Sequence, residues 1–493
     1  MTKKIRGRLA PSPTGFLHIG NLRTALFGYL TIKSMGGDYI LRIEDTDDKR
    51  FVPGAIEKLV DVLEWSGIKF DESPLLSGPY APYVQSERKE IYKKHIDELL
   101  QKDGAYHCFC SSERLDKMRE EQQANKKPPR YDRQCRNLNP EEVSKKIASG
   151  EPFVIRQKMP LDGEVKCFDE LRGEITVNAQ ELDDHVLIKS NGMPTYQFAN
   201  IVDDHLMEIT HVTRGEEWIP SFPKNVLLYT AFGWDVPKFI HLPVVLNKEG
   251  GGKLSKRQGD VSVEEFREKG YLSDALINFI VLLGWHPEGD DEILSMEELI
   301  KKFDHKKISS SPAVFDVEKL NYFNGYYIRR MDLDKLTEMA MPYLKENVDK
   351  TSDTRKKSPD FIKQAVKIEQ ERLKKLSDIK EYTEFLFLDK LEYPKEMLIW
   401  KKQEAGDCKY NLITIRNILE KIASEEWTKE NIENKILQYL NDNALKAGDF
   451  LWPTRVALTG KQQSPGPFDV AFVLGREESL EKIQIAIDAL NVL

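Results

Sequence analysis

The chain has 493 residues, 40% hydrophobic and 31% charged, with a formal net charge of −8. At ~100–200 residues per domain this length holds roughly three to five domains, and the composition leaves no case for global disorder. No run of about 18 apolar residues occurs and the start lacks an apolar signal core, so a cytosolic location is expected; with a negative total charge, any polyanion must meet a local basic face.

In chain order, "KIRGRLA" reads as a strand, followed by the rigid loop "PSPTG" and a helix from Asn21. Leu22, Ala25, Leu26, Tyr29 and Leu30 fall at i, i+3, i+4, i+7 and i+8, one apolar helical face. "GGDYILRIED" is the next strand. Strand, loop, helix and strand in succession start a βαβ unit, whose ligands sit at the carboxyl ends of parallel strands. From about Pro82 to Pro194 this rhythm breaks, with a cysteine-bearing segment, a lysine-rich stretch and strands in "PFVIRQK" and "DDHVLIK"; an insertion is expected. The α/β pattern resumes with "LMEITHVTRGEEW", a helix to about Phe232 and "KFIHLPVVL". A Gly- and Lys-rich loop, "NKEGGGKLSKRQGD", follows; beyond Val261 nearly everything reads as helix, with residues 350–358 a flexible connection or a helix start.

Two loops carry chemistry. "HIGN" opens a helix, so His18 and the adjacent amides lie at the positive end of a helix dipole, where phosphate is stabilised, and Gly20 lets a nucleotide come close. Taken alone, it also fits a histidine that caps a helix. "GGGKLSKR" sets Lys253, Lys256 and Arg257 behind flexible glycines, a cationic loop able to close on a triphosphate or a solvated surface loop.

In this order, the two loops resemble the HIGH and KMSKS signatures of class I aminoacyl-tRNA synthetases. "RLAPSPTGFLHIGNLRTALF", "LRIEDTD" and "TYQFANIVDDHLMEITHVTRGEEW" narrow the resemblance to the glutamyl-tRNA synthetases of bacterial type. Glutaminyl relatives carry Pro-Glu-Pro-Asn-Gly where this chain has Pro11-Ser12-Pro13-Thr14-Gly15, and they bind the anticodon with β-barrels, whereas this C-terminus reads helical. The resemblance implies an α/β fold with a Rossmann-type parallel-sheet catalytic domain (1–82 and 195–250) and an inserted α+β acceptor-stem domain (83–194). A loop and helical stem-contact domain (251–331) and an α-helical anticodon-binding region (332–493, subdivided near 412) follow.

It further implies that glutamate is activated with ATP and Mg2+ to glutamyl-adenylate and pyrophosphate, then transferred to the 3′-terminal adenosine of tRNA(Glu), with activation waiting on bound tRNA. Glutamate brings two carboxylates and one ammonium, which call for guanidiniums and a carboxylate. By resemblance Arg8, Ala10, Ser12, Glu44, Tyr196, Asn200 and Arg214 line the amino-acid pocket, Arg8 and Arg214 reading the side-chain carboxylate and Glu44 the amine. His18, Lys253 and Lys256 serve catalysis, and His18, Gly20, Asn21, Glu217, Trp218 and Lys256 hold ATP. Arg455 and Arg476 are candidate phosphate contacts, with Trp452 either a base-stacking partner or helical core.

Cys108, Cys110 and Cys135 match a zinc-site spacing found in some members of the family. The histidine expected two residues after the third cysteine is Asn137 here, leaving Tyr131, on the same helical face as Cys135, or His107 as fourth ligand. Three reduced structural cysteines are the other reading; Cys167 and Cys408 read as buried small hydrophobes. Charging of tRNA(Gln) as well stays open; the long helical C-terminus argues against an adenylyltransferase or a tRNA-modifying relative, the first loop against a glutaminyl one, and the presence of both signature loops against an RNA-binding paralogue without catalysis. A monomer is expected from the family.

Overall fold

The computed structural model describes residues 4–13, 16–46, 54–248, 252–254, 261–289 and 291–492. The chain forms two compact units, one of residues 1–268 and 273–317, the other of 269–272 and 318–493.

The first unit runs β1 (Arg6–Leu9), α1 (Ile19–Ser34), β2 (Asp38–Leu41), α2 (Ala55–Trp65), α3 (Lys89–Gln101), β3 (Ala105–Cys108), α4 (Ser112–Ala124), α5 (Pro140–Ala148), β4 (Val154–Gln157), β5 (Glu164–Asp169), β6 (Gly173–Asn178) and β7 (Val186–Ile188). It continues through α6 (Tyr196–Leu206), β8 (His211–Gly215), α7 (Phe222–Phe232), β9 (Lys238–Leu242), β10 (Val245–Asn247), α8 (Val263–Glu268), α9 (Ser273–Val281), α10 (Met296–Lys302) and β11 (Ala313–Phe315). Its main sheet has the order β2-β1-β8-β9-β5-β6, parallel throughout except for the β5–β6 hairpin.

Three features differ from the sequence reading. Helix α1 starts at Ile19, inside the tetrad expected to open it, but is buried over more than one face, Phe27 and Ile32 as well as Leu22, Leu26 and Leu30. It packs on β1, β2 and β8 on one side and on α9 and α10 on the other, leaving open mainly its first turn, where Asn21 is exposed. The inserted segment is not a separate body. Strands β3, β4 and β7 form their own three-stranded sheet, but the β5–β6 hairpin joins the main sheet beside β9, pairing Asp169 with Phe239. Past Val261, β11 interrupts the helices and pairs with β10, Val245 opposite Ala313. The apolar core beneath the sheet draws on both segments, with Ile155, Val165 and Leu187 of the insert against Phe198, Phe222 and Phe239.

The second unit is helical: α11 (Val317–Arg330, in this unit from Glu318), α12 (Leu333–Lys350), α13 (Pro359–Glu369), α14 (Asp378–Phe387), α15 (Ala405–Glu420), α16 (Lys429–Asp442), α17 (Ala447–Thr459), α18 (Pro467–Leu474) and α19 (Arg476–Ala489). The 350–358 segment is a helix start: Ser358 caps α13 by accepting from Phe361 N (3.3 Å), and Lys356 is buried on Glu478 (2.8 Å). Two of the RNA-contact candidates have structural duties. Arg476 donates to the Ile422 and Glu420 carbonyls at the end of α15, and Trp452 donates to the Met397 carbonyl while stacked on Trp400. Arg455 is half-buried. Among the described residues no helix is long and apolar enough to cross a membrane.

Candidate active site

Two cavities adjoin at the carboxyl ends of β1 and β8, the place a parallel sheet offers for a ligand. The first is lined by Arg8, Ala10, Ser12, Tyr196, Arg214 and Trp218; the second by His18, Gly20, Arg23, Pro243 and Lys253. Asn21, Thr24, Gly215 and Glu217 line both. Molecules seated in the two would therefore touch across those four residues.

On the second side, His18 is the N-cap of α1, its Nδ1 accepting from Gly20 N at 2.9 Å. An acceptor Nδ1 carries no proton, which puts the ring proton on Nε2 in the neutral imidazole. His18 thus caps the helix, and its ring also borders the cavity. Long-range backbone hydrogen bonds from Ile19 N to Val261 O (2.8 Å) and Val263 N to Leu17 O (2.9 Å) fix this turn. Lys253 lines the cavity; Lys256 lies outside the described residues. Arg23, which sequence reasoning missed because it looks like one more helical cation, is buried at the base of this cavity. It donates to the carbonyls of Leu283 (2.8 Å) and Pro243 (2.6 Å), and burial pushes it down to about 10. Gly215 has a steric reason: a Cβ there would overlap the Glu217 carboxylate.

The first cavity sits over a buried ionic cluster. Arg8 bonds Asp204 (3.0 Å), Arg42 bonds Asp204 (2.8 Å) and Glu44 (2.9 Å), and Arg88 bonds Asp203 (2.7 Å). Three guanidiniums thus balance three carboxylates, as the cost of burying charge requires. Of these six, sequence reasoning picked out Arg8 and Glu44; the other four look like ordinary surface charges until the fold buries them.

Several expected roles change. Arg8 is already paired with Asp204, so it is not an unclaimed carboxylate receptor. Glu44 and Asn200 are buried behind the lining, bonded to each other at 2.7 Å, and Glu44 Oε2 has no partner among the described residues. Burial pushes the Glu44 carboxyl up, against the pull of Arg42 and Arg8. Trp218 stacks on Tyr196 at 4.7 Å and lines the first cavity instead of the second. Arg214 is the exception: it is buried with no carboxylate in contact among the described residues, bonded instead to His241 Nε2 (2.9 Å), and burial pushes it down to about 10.

Away from this site, the sulfur atoms of Cys108, Cys110 and Cys135 lie within 4.8 Å of one another. Tyr131 Oη is 3.2 Å from Cys108 Sγ and 3.4 Å from Cys110 Sγ, and accepts from Cys135 N at 3.1 Å. Tyr131 is not on a helix with Cys135, as the sequence reading had it; a turn through residues 134–137 brings its hydroxyl beside the thiols. His107 points to the other face of β3, packed on Phe153 at 4.9 Å. Cys167 and Cys408 are buried thiols, as expected.

The residues at this site lie inside a recognisable catalytic domain. A family model described as class I tRNA synthetases (E and Q), catalytic domain, matches residues 4–322, and one described as an anticodon binding domain matches residues 335–487. A glutamate–tRNA ligase of Clostridium botulinum (strain Hall) is 49% identical over the whole of both chains, and one of Clostridium acetobutylicum is 46% identical over 99% of each. The crystal structure of a glutamate tRNA ligase from Elizabethkingia meningosepticum in complex with its amino acid superposes with a TM-score of 0.89 at 39% identity, covering 99% of this chain and 100% of that one. The chain belongs to the glutamate–tRNA ligase family of class I synthetases.

Proposed function

We infer that this protein is a ligase that charges tRNA with glutamate in two steps. The observation that carries the assignment of roles is the pair of adjoining cavities, one over an uncompensated guanidinium and one at a helix N-terminus with His18 and Lys253. Glutamate occupies the first, its side-chain carboxylate on Arg214 beside Arg8. ATP enters the second as its magnesium complex. The α-carboxylate attacks the α-phosphorus, the bond to the bridging oxygen breaks and pyrophosphate leaves; no protein nucleophile is required, only alignment and cations. His18 Nε2–H, the α1 amides, Lys253 and Lys256 serve the phosphates. A ribose hydroxyl of the tRNA's terminal adenosine then attacks the mixed anhydride and AMP departs.

The thiol cluster fits zinc. Tetrahedral zinc–sulfur bonds of ~2.3 Å imply sulfur separations near ~3.8 Å, against 3.6 Å between Cys110 and Cys135. Arg114, 3.4 Å from Cys110 Sγ, and Arg156, over the Tyr131 ring, supply positive charge beside thiolates. Cys108, Cys110, Cys135 and Tyr131 would hold the ion, whose role is to tie β3 to the turn carrying Cys135.

The test is ATP–pyrophosphate exchange with glutamate, with and without tRNA, followed by charging of purified tRNA(Glu) and tRNA(Gln). Glutamyl-tRNA(Glu) is expected, and failure to form it refutes the function.

A further inference from the structure

Arg214 and His241 are direct partners on the parallel strands β8 and β9, so their side chains rise from the same face of the sheet. His241 is fully buried, as is Asp169, the last residue of β5 in the hairpin that the insert lends to the main sheet. Asp169 Oδ2 contacts both His241 Nδ1 (2.8 Å) and His241 N (3.0 Å), and Asp169 Oδ1 accepts from Leu171 N and Arg172 N (3.0 Å each). A carboxylate surrounded in this way can only accept, so His241 Nδ1 must carry the proton and Nε2 a lone pair. That lone pair takes Arg214 Nε–H at 2.9 Å. Asn225, with its amide oxygen turned to Arg214, accepts from a terminal nitrogen at 3.0 Å. The other terminal nitrogen has no protein partner among the described residues, and Arg214 lines the amino-acid cavity.

A carboxylate in the place of His241 would cancel the charge of Arg214 and compete with the ligand, and it would face the Asp169 carboxylate without the proton that His241 Nδ1 supplies. A neutral imidazole orients the guanidinium and leaves the charge for an incoming anion. We propose that His241, held as the Nδ1–H tautomer by Asp169, is a positioning residue that aims Arg214 at the side-chain carboxylate of glutamate while keeping its charge uncompensated, and so sets the preference for glutamate over glutamine. The inference rests on the reading of Arg214 as the carboxylate receptor. It also gives the β5–β6 hairpin a task in substrate choice.

Three variants of the full chain, assayed for charging with glutamate and with glutamine, separate the possibilities. His241→Glu is expected to raise the glutamate KM by about ten- to a hundredfold, the range for losing a charged hydrogen bond, while kcat stays within a few-fold and glutamine is used no worse. His241→Gln, which still offers a neutral acceptor, is expected to stay within about threefold of wild type by the same reasoning. A His241→Glu enzyme with unchanged glutamate KM, or a His241→Gln enzyme as impaired as His241→Glu, overturns the inference. Arg214→Gln with an unchanged glutamate KM overturns the underlying reading and the inference with it; Arg214→Gln impaired beside an unaffected His241→Glu overturns the inference alone. Nitrogen NMR of wild-type histidines, with the His241 signal identified by its loss in His241→Gln, reads the tautomer without depending on the folding of His241→Glu. A proton on Nδ1 is expected, and a proton on Nε2 refutes the positioning role.

Discussion

Replacing Arg214 with glutamine removes the cation that the buried cluster does not cancel. Arg8, Arg42 and Arg88 are matched by Glu44, Asp203 and Asp204, so that cluster is neutral without Arg214, and the substitution takes from the cavity wall a guanidinium that no carboxylate contacts among the described residues. Glutamate then brings a carboxylate into a desolvated pocket with no counter-charge. A charged hydrogen bond is worth about 1.5–3 kcal/mol, and stranding one partner of a buried pair costs about 2–5 kcal/mol. Taking ~3 kcal/mol, the glutamate KM rises roughly a hundredfold. Glutamine, whose amide needs no cation, loses little, so the ratio of kcat/KM for the two amino acids falls by a similar factor. Charging kinetics at saturating ATP and tRNA(Glu) measure both. A ratio within about threefold of wild type would show that Arg214 does not read the carboxylate, and would leave Arg8 as the candidate despite its pairing with Asp204.

Gly215→Ala is expected to reduce charging strongly with little loss of stability, because the added Cβ displaces the Glu217 carboxylate between the two cavities; thermal melts beside charging rates check it. Elemental analysis of wild-type protein is expected to find about one zinc per chain, in line with a closed four-ligand site, and Cys135→Ser to lose it together with the stability of the insert, followed by proteolysis. In the helical unit, burial pushes the carboxyl of Glu369 up to about 7, opposed by Arg372. A carboxyl raised in the folded state binds its proton more tightly there than in the unfolded chain. Its stabilising share is therefore complete below the unfolded carboxylate range and disappears as pH rises to about 7. Glu369→Gln should thus gain on wild type by roughly 1–3 kcal/mol between pH 4 and 8 in urea melts, and an unchanged difference across that range would sink the assignment.

What the sequence by itself determined is local. The strand of Arg6–Leu9, the helix-opening His18 turn, the cysteine spacing and the strand with Arg214 were readable because each depends on neighbours a few residues away, through hydrophobic period, capping and turn chemistry. Their order along the chain also pointed to the family. What only the tertiary structure decided is which charges are already taken. Arg8 and Arg214 look alike in sequence, but Asp204, nearly two hundred positions away, neutralises the first, while the second meets a neutral histidine across a strand pair. Asp169 and His241 belong to segments that the linear pattern assigned to different domains, and the parallel pairing of β5 with β9 makes them one device. Tyr131 shows the same limit: a turn, not a helical repeat, sets it among the thiols. Charge compensation and ligand orientation act through space at 3 Å or so, and a linear pattern holds no information on which distant residues come that close until the fold has closed.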